Sequence, residues 1–369
     1  MKHDIMHLMN PSVPANDLPL LPPNTDLETK TVLRKAISAN RELARLKGYC
    51  SLLPNEAILL DTIILKEARA SSEIENIITT QDELYRALAV DDRQITPETK
   101  EVLNYRSAVW RGYRLLRETG LLTTRAIIVI QEELEGNTAG VRRLPGTVLR
   151  NDRTGEAVYT PPDDEATLLN LLRNLERYIN EEDGVDPLIR MAVIHYQFES
   201  IHPFYDGNGR TGRILNVLYL IRCGLLDTPI LYLSRYITRH KPQYYQLLHK
   251  VRTESAWVPW IEFMITAVEE TARLTMELTQ AIVALMEQVT EHARKSLPRT
   301  TYSKELIELL FAQPYVKIES LVSRGIAERR TASKYLKQLE QIGTLHSYQA
   351  WKETIYINHA LMDLLKKAD

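Results

Sequence analysis

The chain has 369 residues, a formal net charge of −2, 44% hydrophobic residues and 25% charged residues. This composition is ordinary for a protein with a packed core, and the length is sufficient for two or three domains. The near-neutral charge excludes a chain-wide basic surface for nucleic acid, and two cysteines are too few for a disulfide framework. With no signal-peptide pattern and no apolar run of about 20 residues, we expect a cytoplasmic protein with no membrane partner.

The N-terminal part, residues 1–93, is predicted to form one helical region behind an extended leader. Residues 1–26 contain five prolines, which predict an extended strap along the surface. Residues 27–93 show helical spacing of apolar residues, and the run Leu59–Ala70, directly before Ser71, contains no helix breaker.

The central part, residues 97–290, is predicted to be a helical core with one β-hairpin. Two β-prone runs flank turn residues 151–155, which predicts the hairpin between Gly146 and Pro162. Helices are expected over Pro187–Ser200 and Ile214–Ile221. A single long amphipathic helix, Ile265–Lys295, is expected to run past the end of the core.

The last part, residues 298–369, is predicted to be a winged helix-turn-helix. Helices are expected over 306–311, 318–322 and 327–342, and wing strands over 344–348 and 354–358. Residues 299–369 hold 11 basic and 8 acidic residues, a net charge of +3. A DNA reader usually shows a stronger basic footprint, so DNA ranks behind protein docking or dimerisation as the role of this unit.

The most informative segment is His202–Arg213, with the sequence HPFYDGNGRTGR. Its glycines allow close approach to an anion, and the apolar helix that follows would place them at a helix N-terminus, which favours phosphate. Arg210 and Arg213, three residues apart, are expected to face the same ligand. Asp206 is an oxygen ligand suited to Mg²⁺ beside phosphates, and His202 can act as a general base.

Two other interpretations of this segment are open to the sequence. Gly207, Gly209 and Gly212 match the dinucleotide fingerprint G-x-G-x-x-G, but that fingerprint needs a preceding strand, and the preceding segment has helical spacing. A plain glycine turn would leave two arginines, a histidine and an aspartate in one turn without a purpose. A polyphosphate site therefore explains the segment best.

The same segment resembles the signature of the Fic family, H-x-F-x-[D/E]-G-N-G-R-x-x-R, and every specified position matches. The resemblance implies transfer of AMP from ATP to a Ser, Thr or Tyr hydroxyl of a target protein, with Mg²⁺. It implies that His202 is the base, that Phe204 anchors the loop, that Asp206 holds the metal and that residues 207–209 form the anion hole. Arg210 and Arg213 would hold the outer phosphates. The nucleotide contacts implied are Glu75, Asp206, Gly207, Asn208, Gly209, Arg210, Thr211, Gly212, Arg213 and Tyr245.

A second resemblance concerns Ser71, Glu75 and Asn76, which match the inhibitory motif [S/T]-x-x-x-E-[G/N] of that family. The motif is expected to lie on a helix, where Ser71 and Glu75 would share a face. By resemblance, Glu75 would pair with Arg213, displace the γ-phosphate and restrain the enzyme. An exposed helical glutamate with no such role is the competing interpretation.

Two further elements take a role from the resemblance. The hairpin corresponds to a flap that holds the target by adding a strand, against the alternative of a plain connection. Tyr245 would stack on adenine, against the alternative of a core tyrosine. Arg252 stands where relatives often carry asparagine, which leaves the strictness of ATP preference open.

The fold expected is therefore mainly α: a Fic-type helical core with a hairpin flap, plus a C-terminal winged helix-turn-helix. The expected partners are ATP and a target protein, with homodimerisation as a further expectation. Two alternative functions stay open at this stage: removal of AMP from modified proteins by the same site, and a nucleotide-sensing regulator that binds DNA.

Overall fold

The computed structural model describes residues 10–51, 57–89, 95–151, 154–298, 301–350 and 353–367. These residues are mainly helical, as the sequence predicts. The helices are α1 (Lys30–Cys50), α2 (Ala57–Ile74), α3 (Gln81–Ala89), α4 (Pro97–Thr119), α5 (Thr124–Glu135), α6 (Glu165–Asn180), α7 (Pro187–Ile201), α8 (Asn208–Arg222), α9 (Ser234–Arg239), α10 (Lys241–Glu254), α11 (Trp257–Ser296), α12 (Lys304–Ala312), α13 (Ile318–Ser323), α14 (Arg329–Gln341) and α15 (His359–Lys367). The strands are β1 (Leu149–Arg150), β2 (Ala157–Tyr159), β3 (Tyr315–Val316), β4 (His346–Ala350) and β5 (Glu353–Ile357).

The long helix α11 confirms the predicted continuous helix and starts eight residues earlier than expected. It packs along α1, whose buried face includes Val32, Ala36, Leu43 and Leu46 at helical spacing. Thr29 caps α1, because its side chain accepts a hydrogen bond from the Val32 N–H.

The centre of the core is the pair α7 and α8. Both helices are buried nearly all round, which explains why apolar residues recur on every face of α8. They pack closely at Gly212, where an added Cβ would lie 2.7 Å from Glu199 Oε1 and 3.1 Å from the Phe198 ring. A helix precedes the glycine-rich segment, which excludes the dinucleotide fingerprint because that motif follows a strand.

The predicted hairpin is present as β1 and β2, paired antiparallel with Leu149 opposite Tyr159. Two residues of its turn, 152 and 153, lie outside the described residues. The N-terminal strap, described from residue 10, lies against its base, where the Ala15 N–H donates to the Thr160 carbonyl at 3.0 Å. The strap then bonds α7 through Gln197 and α6 through Asn174. The first nine residues of the predicted strap are outside the description.

The C-terminal unit has the order α12, β3, α13, α14, β4, β5, with a sheet in the order β3-β5-β4. Its three predicted helices and two predicted wing strands are confirmed, and their ends differ from the predicted ends by at most two residues. Residues 351 and 352, at the wing tip, lie outside the described residues. Strand β3 and helix α15 are additions that the sequence reasoning missed. Within the described chain, no helix has the length and apolar character needed to cross a bilayer.

The C-terminal unit contacts the α2–α3 region at two places. The Lys66 ammonium, buried on α2, donates to the Leu365 carbonyl in the last turn of α15 at 2.9 Å. Farther along the chain, the Tyr85 and Tyr315 rings stack with centroids 6.4 Å apart. The segment between these contacts carries the predicted inhibitory motif, so the C-terminal unit helps to position it.

Candidate active site

The signature segment forms the loop that joins α7 to α8 and reverses the chain. His202 ends α7 with φ 48°, a left-handed conformation, and its N–H donates to the Phe198 carbonyl at 2.9 Å. Gly207, with φ 77°, precedes α8 and is the position where the left-handed backbone favours glycine. A Cβ at Gly207 would also clash with the Glu135 carboxylate.

The Asn208 side chain fastens this loop. Its Oδ1 accepts from the Phe204 N–H at 2.8 Å and its Nδ2 donates to the Phe204 carbonyl at 2.9 Å. The Phe204 ring is buried, which confirms its expected role as an anchor. The Asn208 side chain therefore holds the loop closed, and the backbone N–H of Asn208 is the group that could contribute to the expected anion hole.

The first turn of α8 presents backbone N–H groups of the kind that bind anions. A helix leaves its first N–H groups without acceptors in the helix, and here Thr211 is the first residue to bond back, to the Gly207 carbonyl at 2.9 Å. The carboxylate of Glu75 lies over this turn, so close that a Cβ at Gly209 would overlap Glu75 Oε1. Gly209 therefore permits close approach to the helix N-terminus, whereas Gly212 is needed one turn later for helix packing.

Arg213 is buried and bound on one side by the predicted inhibitory motif. Its Nε donates to Ser71 Oγ at 2.7 Å, and its Nη2 donates to the Ser71 carbonyl at 2.9 Å and to Glu75 Oε1 at 2.7 Å. Burial favours a higher pKa for Glu75, but the charges of Arg213, then Arg210 and Lys241, outweigh it and lower that pKa. The carboxylate is ionised at neutral pH and is held as a counter-ion.

The inhibitory motif differs from the expected continuous helix in one respect. Ser71 lies in the last turn of α2, but Glu75 and Asn76 lie just beyond its end. Asn76 has φ 62°, its N–H donates to the Glu73 carbonyl, and the Ile77 N–H donates to the Ser72 carbonyl, both at 3.0 Å. This is a Schellman cap, which demands a left-handed residue and so explains why Asn or Gly follows the glutamate.

Arg210 and Arg213, which are expected from their spacing to face the same ligand, pair here with different acidic side chains. Arg210 is buried and pairs with Glu135 at 2.9 Å and with Glu101 at 2.8 Å. Burial raises the pKa of Glu135, with Arg210 opposing and Asp206 and Glu101 reinforcing the rise. The structure therefore places Arg210 between two acids beside Asp206, and Arg213 at the Glu75 side of the loop.

Asp206 is exposed at the rim, where its Oδ1 accepts from the Gly207 N–H at 2.7 Å. No three His, Cys, Asp or Glu residues of the described chain are grouped tightly enough to hold a metal ion by themselves. A single exposed carboxylate beside a phosphate site still fits Mg²⁺, which commonly takes one or two carboxylates together with substrate oxygens. Thr211 is buried, and its Oγ1 has no hydrogen-bond partner among the described residues.

The environment of His202 keeps its ring neutral. Burial and then the positive charge of Arg142 lower the pKa of His202 to about 4, while Glu75 opposes the shift and Arg252 adds to it. A neutral imidazole can accept a proton throughout the physiological pH range.

Sequence reasoning missed several buried groups around this loop. Arg142, fully buried, donates a hydrogen bond to the backbone of the loop that carries the signature. Glu199, one turn before His202, has its pKa raised to about 7 by burial, although the charge of Arg213 opposes the rise. Glu67 on α2 also has its pKa raised to about 7 by burial, against hydrogen bonds from Ser234. For Glu67 and Glu199, a charged residue within a largely apolar helix was the feature of the sequence that could have indicated a buried charge. Their partners lie on other elements and could not be read from the sequence.

A cavity of about 840 Å³ lies between the strap, strand β2, α7 and the end of α10. It is lined by Tyr159, Tyr196, His249, Arg252 and Trp257 among others. The Arg252 guanidinium lies 3.7 Å from the centre of the Tyr159 ring. Tyr245 does not line this cavity; it is 45% exposed, and its ring meets Tyr244 edge-on at 5.1 Å.

Comparison with known families gives three matches that together cover most of the chain. Residues 33–114 match the Fic/DOC family N-terminal model, residues 121–220 match the Fic/DOC family model, and residues 285–361 match the model described as protein adenylyltransferase SoFic-like, C-terminal domain.

Curated relatives and solved structures agree with these models. Proteins named protein adenylyltransferase Fic from Drosophila mojavensis and Aedes aegypti are 28% identical over 236 and 220 residues, or 62% and 58% of this chain. The matches span only 45% and 42% of those relatives. A Fic family protein from Desulfovibrio desulfuricans has the same fold, with 19% identity, a TM-score of 0.56 and coverage of 91% of this chain and 98% of that one. Fic-1 (residues 134–508) from C. elegans aligns with a TM-score of 0.51 and 23% identity over 68% of this chain and 75% of that one.

Proposed function

Because the chain belongs to the Fic/DOC family, we propose that it transfers AMP from ATP to a Ser, Thr or Tyr hydroxyl of a target protein, and to itself. The observation that carries this proposal is that a neutral His202 and the N-terminus of α8 belong to the same short loop. The relatives that bear the name protein adenylyltransferase support the same reaction.

The reaction needs a base, a phosphate cradle and little else from the protein. The acceptor hydroxyl oxygen attacks the α-phosphorus, the bond to the β-phosphate oxygen breaks, and pyrophosphate leaves. His202 takes the hydroxyl proton, because its ring is neutral and stands at the loop beside the α8 N-terminus. The first-turn N–H groups of residues 208–210 stabilise the charge on the transferring phosphate.

Three charged groups complete the proposed cradle. Arg213 would hold the terminal phosphate once its present partner moves, and Arg210 would hold outer phosphates only after exchange of its acidic partners. Asp206 would hold Mg²⁺, which supplies charge neutralisation at the phosphate oxygens.

We propose further that Glu75 restrains the enzyme. Its carboxylate occupies the space over Gly209 and the guanidinium of Arg213, which a γ-phosphate would need. ATP could then bind only with its phosphates displaced from the productive position. Asn76 sets the position of this carboxylate through the cap that ends α2.

The opposite reaction, removal of AMP from a modified protein, is a second candidate. The observation that favours it is that Glu75 lies close enough to His202 to influence its pKa. In that reaction Glu75 would orient a water molecule at the phosphorus, and a protonated His202 would return the proton to the leaving hydroxyl. With its pKa lowered to about 4, His202 is neutral at pH 7, the protonation state that the forward reaction requires of its base.

Other assignments rest on the sequence and the order of elements. We assign the C-terminal unit, residues 298–369, to the winged helix-turn-helix class, and the preceding parts to an N-terminal region (1–93) and a Fic core (97–290). The flap would align the target by strand addition, and Tyr245, which lies outside the cavity beside Arg252, would stack on the adenine. A homodimer, DNA contact by α14 and a cytoplasmic location are predictions from the sequence.

One experiment tests the main proposal: incubation of the wild type, Glu75→Gly and His202→Ala with α-labelled ATP and Mg²⁺. We expect strong labelling of Glu75→Gly, weak labelling of the wild type and none of His202→Ala. Absence of label in all three would contradict AMP transfer, and incubation of a labelled AMP-protein with the wild type would then test the reverse reaction.

A further inference from the structure

Arg142 donates hydrogen bonds to several backbone carbonyls beside the candidate active site, and the proposed reaction assigns it no role. It lies between α5 and the flap and is fully buried. Its Nε donates to the His202 carbonyl at 2.8 Å. Its Nη2 donates to the Ile201 carbonyl at 3.3 Å and also to the Pro162 carbonyl just after the flap.

The backbone of Arg142 adds a fourth connection, because its N–H donates to the Pro203 carbonyl at 2.9 Å. One residue therefore bonds three consecutive carbonyls, those of residues 201, 202 and 203, and the end of the flap. A second link between flap and loop lies beside it, since the Tyr159 hydroxyl donates to the Ser200 carbonyl at 2.8 Å.

These contacts matter because His202, a non-glycine residue, is held in the left-handed backbone conformation. His202 has φ 48°, and a left-handed conformation costs a non-glycine residue roughly 1–2 kcal/mol. Charge-assisted bonds from a guanidinium are among the stronger hydrogen bonds in proteins. A buried cation also acts at short range on the ring next to the carbonyl that it binds.

We infer that Arg142 is the positioning residue of the proposed base: it locks His202 in its left-handed geometry and joins the flap that aligns the acceptor to the loop that deprotonates it. The inference rests on the proposed role of His202. Loss of the guanidinium would leave the phosphate cradle of α8 intact but would weaken the coupling of base and flap, which would then depend on the Tyr159–Ser200 hydrogen bond.

The pKa of His202 can be measured separately from activity, and a residue that only stabilised the fold would not be expected to change it. The charged groups that act on His202 from the surrounding elements are Arg142 before the flap, Arg252 on α10 and Glu75 after α2, while Glu199 on its own helix contributes a backbone carbonyl. After burial itself, Arg142 is the strongest influence in lowering the pKa of His202. Its removal should raise that pKa, and its replacement by lysine should not raise it as far.

The test uses the full chain with Glu75→Gly as the parent, together with Arg142→Lys, Arg142→Met and the control Arg143→Gln. The Arg143 side chain is 79% exposed and lies 3.5 Å from Glu165, so it matches Arg142 in type but not in environment. Initial rates of label transfer at varied ATP concentration separate kcat from KM. NMR titration of the His202 imidazole in the same proteins measures the pKa without reference to transfer.

We expect kcat to fall on the order of 10- to 100-fold in both Arg142 variants, with KM for ATP nearly unchanged, because misplacement of a base acts on the chemical step. In Arg142→Met the pKa of His202 should rise by about one unit, and Arg142→Lys should show the loss of kcat with a smaller rise. Arg143→Gln should resemble the parent. Tyr159→Phe, which removes only the second link, should lower kcat less.

An unchanged His202 pKa in Arg142→Met, a loss confined to KM, or an equal loss in Arg143→Gln would overturn the inference. Failure of the Glu75→Gly parent to transfer label would instead count against the proposed function, and the NMR titration would still decide the role of Arg142. If Arg142→Met does not fold, Arg142→Lys keeps the test valid, because it retains the buried charge but cannot span three carbonyls.

Discussion

Glu75 Oε1 and Arg213 Nη2 are 2.7 Å apart, at the point where the N-terminal region meets the first turn of α8. The Arg213 side chain is 1% exposed and the Glu75 side chain 34% exposed, so the acid is reachable from solvent while its partner is not. A ligand that offers a better anion can therefore displace the glutamate without unpacking the core. This asymmetry is the physical basis of the proposed restraint.

Replacement of Glu75 by Gln should raise label transfer from ATP. A hydrogen bond to a charged group contributes about 1.5–3 kcal/mol, which corresponds to roughly 10- to 100-fold in the competition for Arg213. The rate of automodification at fixed ATP measures the gain. Glu73→Gln, two residues earlier and on the exposed side of α2, is the matched control and should leave the rate unchanged. A Glu75→Gln rate at or below that of the wild type would contradict the restraint.

Replacement of Asn76 by Ala should loosen the inhibitory cap, and replacement by Gly should not. Asn76 has φ 62°, and the left-handed conformation costs alanine about 1–2 kcal/mol but costs glycine little. Asn76→Ala should therefore have a lower Tm and a higher basal transfer rate than Asn76→Gly. Thermal unfolding and automodification of both variants measure this, and equal behaviour of the two would refute the role of the cap.

Replacement of Gly209 by Ala should abolish productive ATP binding even when the glutamate is absent. An added Cβ would clash with Glu75 in the wild type, and in Glu75→Gly it would project into the space proposed for phosphate. We expect ATP affinity, measured by calorimetry, to fall at least about 10-fold in the double variant relative to Glu75→Gly. Full recovery of affinity in the double variant would show that phosphate does not bind there.

The contribution of Glu199 to stability should fall as pH rises from about 5 to 7.5, while His195 and His202, whose pKa values are lowered by burial, contribute a trend of the opposite sign below about pH 6.5. Burial raises the folded-state pKa of this carboxyl to about 7, above its ordinary value. A raised acid pKa favours the folded protein at low pH, and the advantage is lost as pH rises from the unfolded pKa through the folded one. The contribution is about 1–3 kcal/mol at most.

The measurement is Tm against pH for the wild type and Glu199→Gln. The variant should lose part of the slope between pH 5 and 7.5, and the remainder should include Glu67, whose pKa is raised in the same direction. Identical slopes in the two proteins would show that Glu199 does not titrate in this range. Glu98→Gln, at an exposed position in the first turn of α4, serves as the control.

Local pattern predicted the elements that depend on neighbours in sequence. Helices α7 and α8, the hairpin and the helices of the C-terminal unit were predictable because apolar spacing and turn residues act within a few positions. Strand β3 and α15 were missed because β3 has only two residues and α15 follows its strand after one residue. The different duties of Gly209 and Gly212 were also missed, since both are simply glycine until their contacts are known.

The signature His202–Arg213 and the short motif at Ser71–Asn76 were sufficient to indicate the family and to propose the reacting groups, because that chemistry requires particular side chains at particular spacings. Tertiary structure alone decided what each group faces. It placed Arg210 between two acids from α4 and α5, Arg213 against a glutamate 138 residues away, and Arg142 beneath the backbone of the base. Charge and burial set these partnerships, and both arise only when segments remote in sequence are packed together.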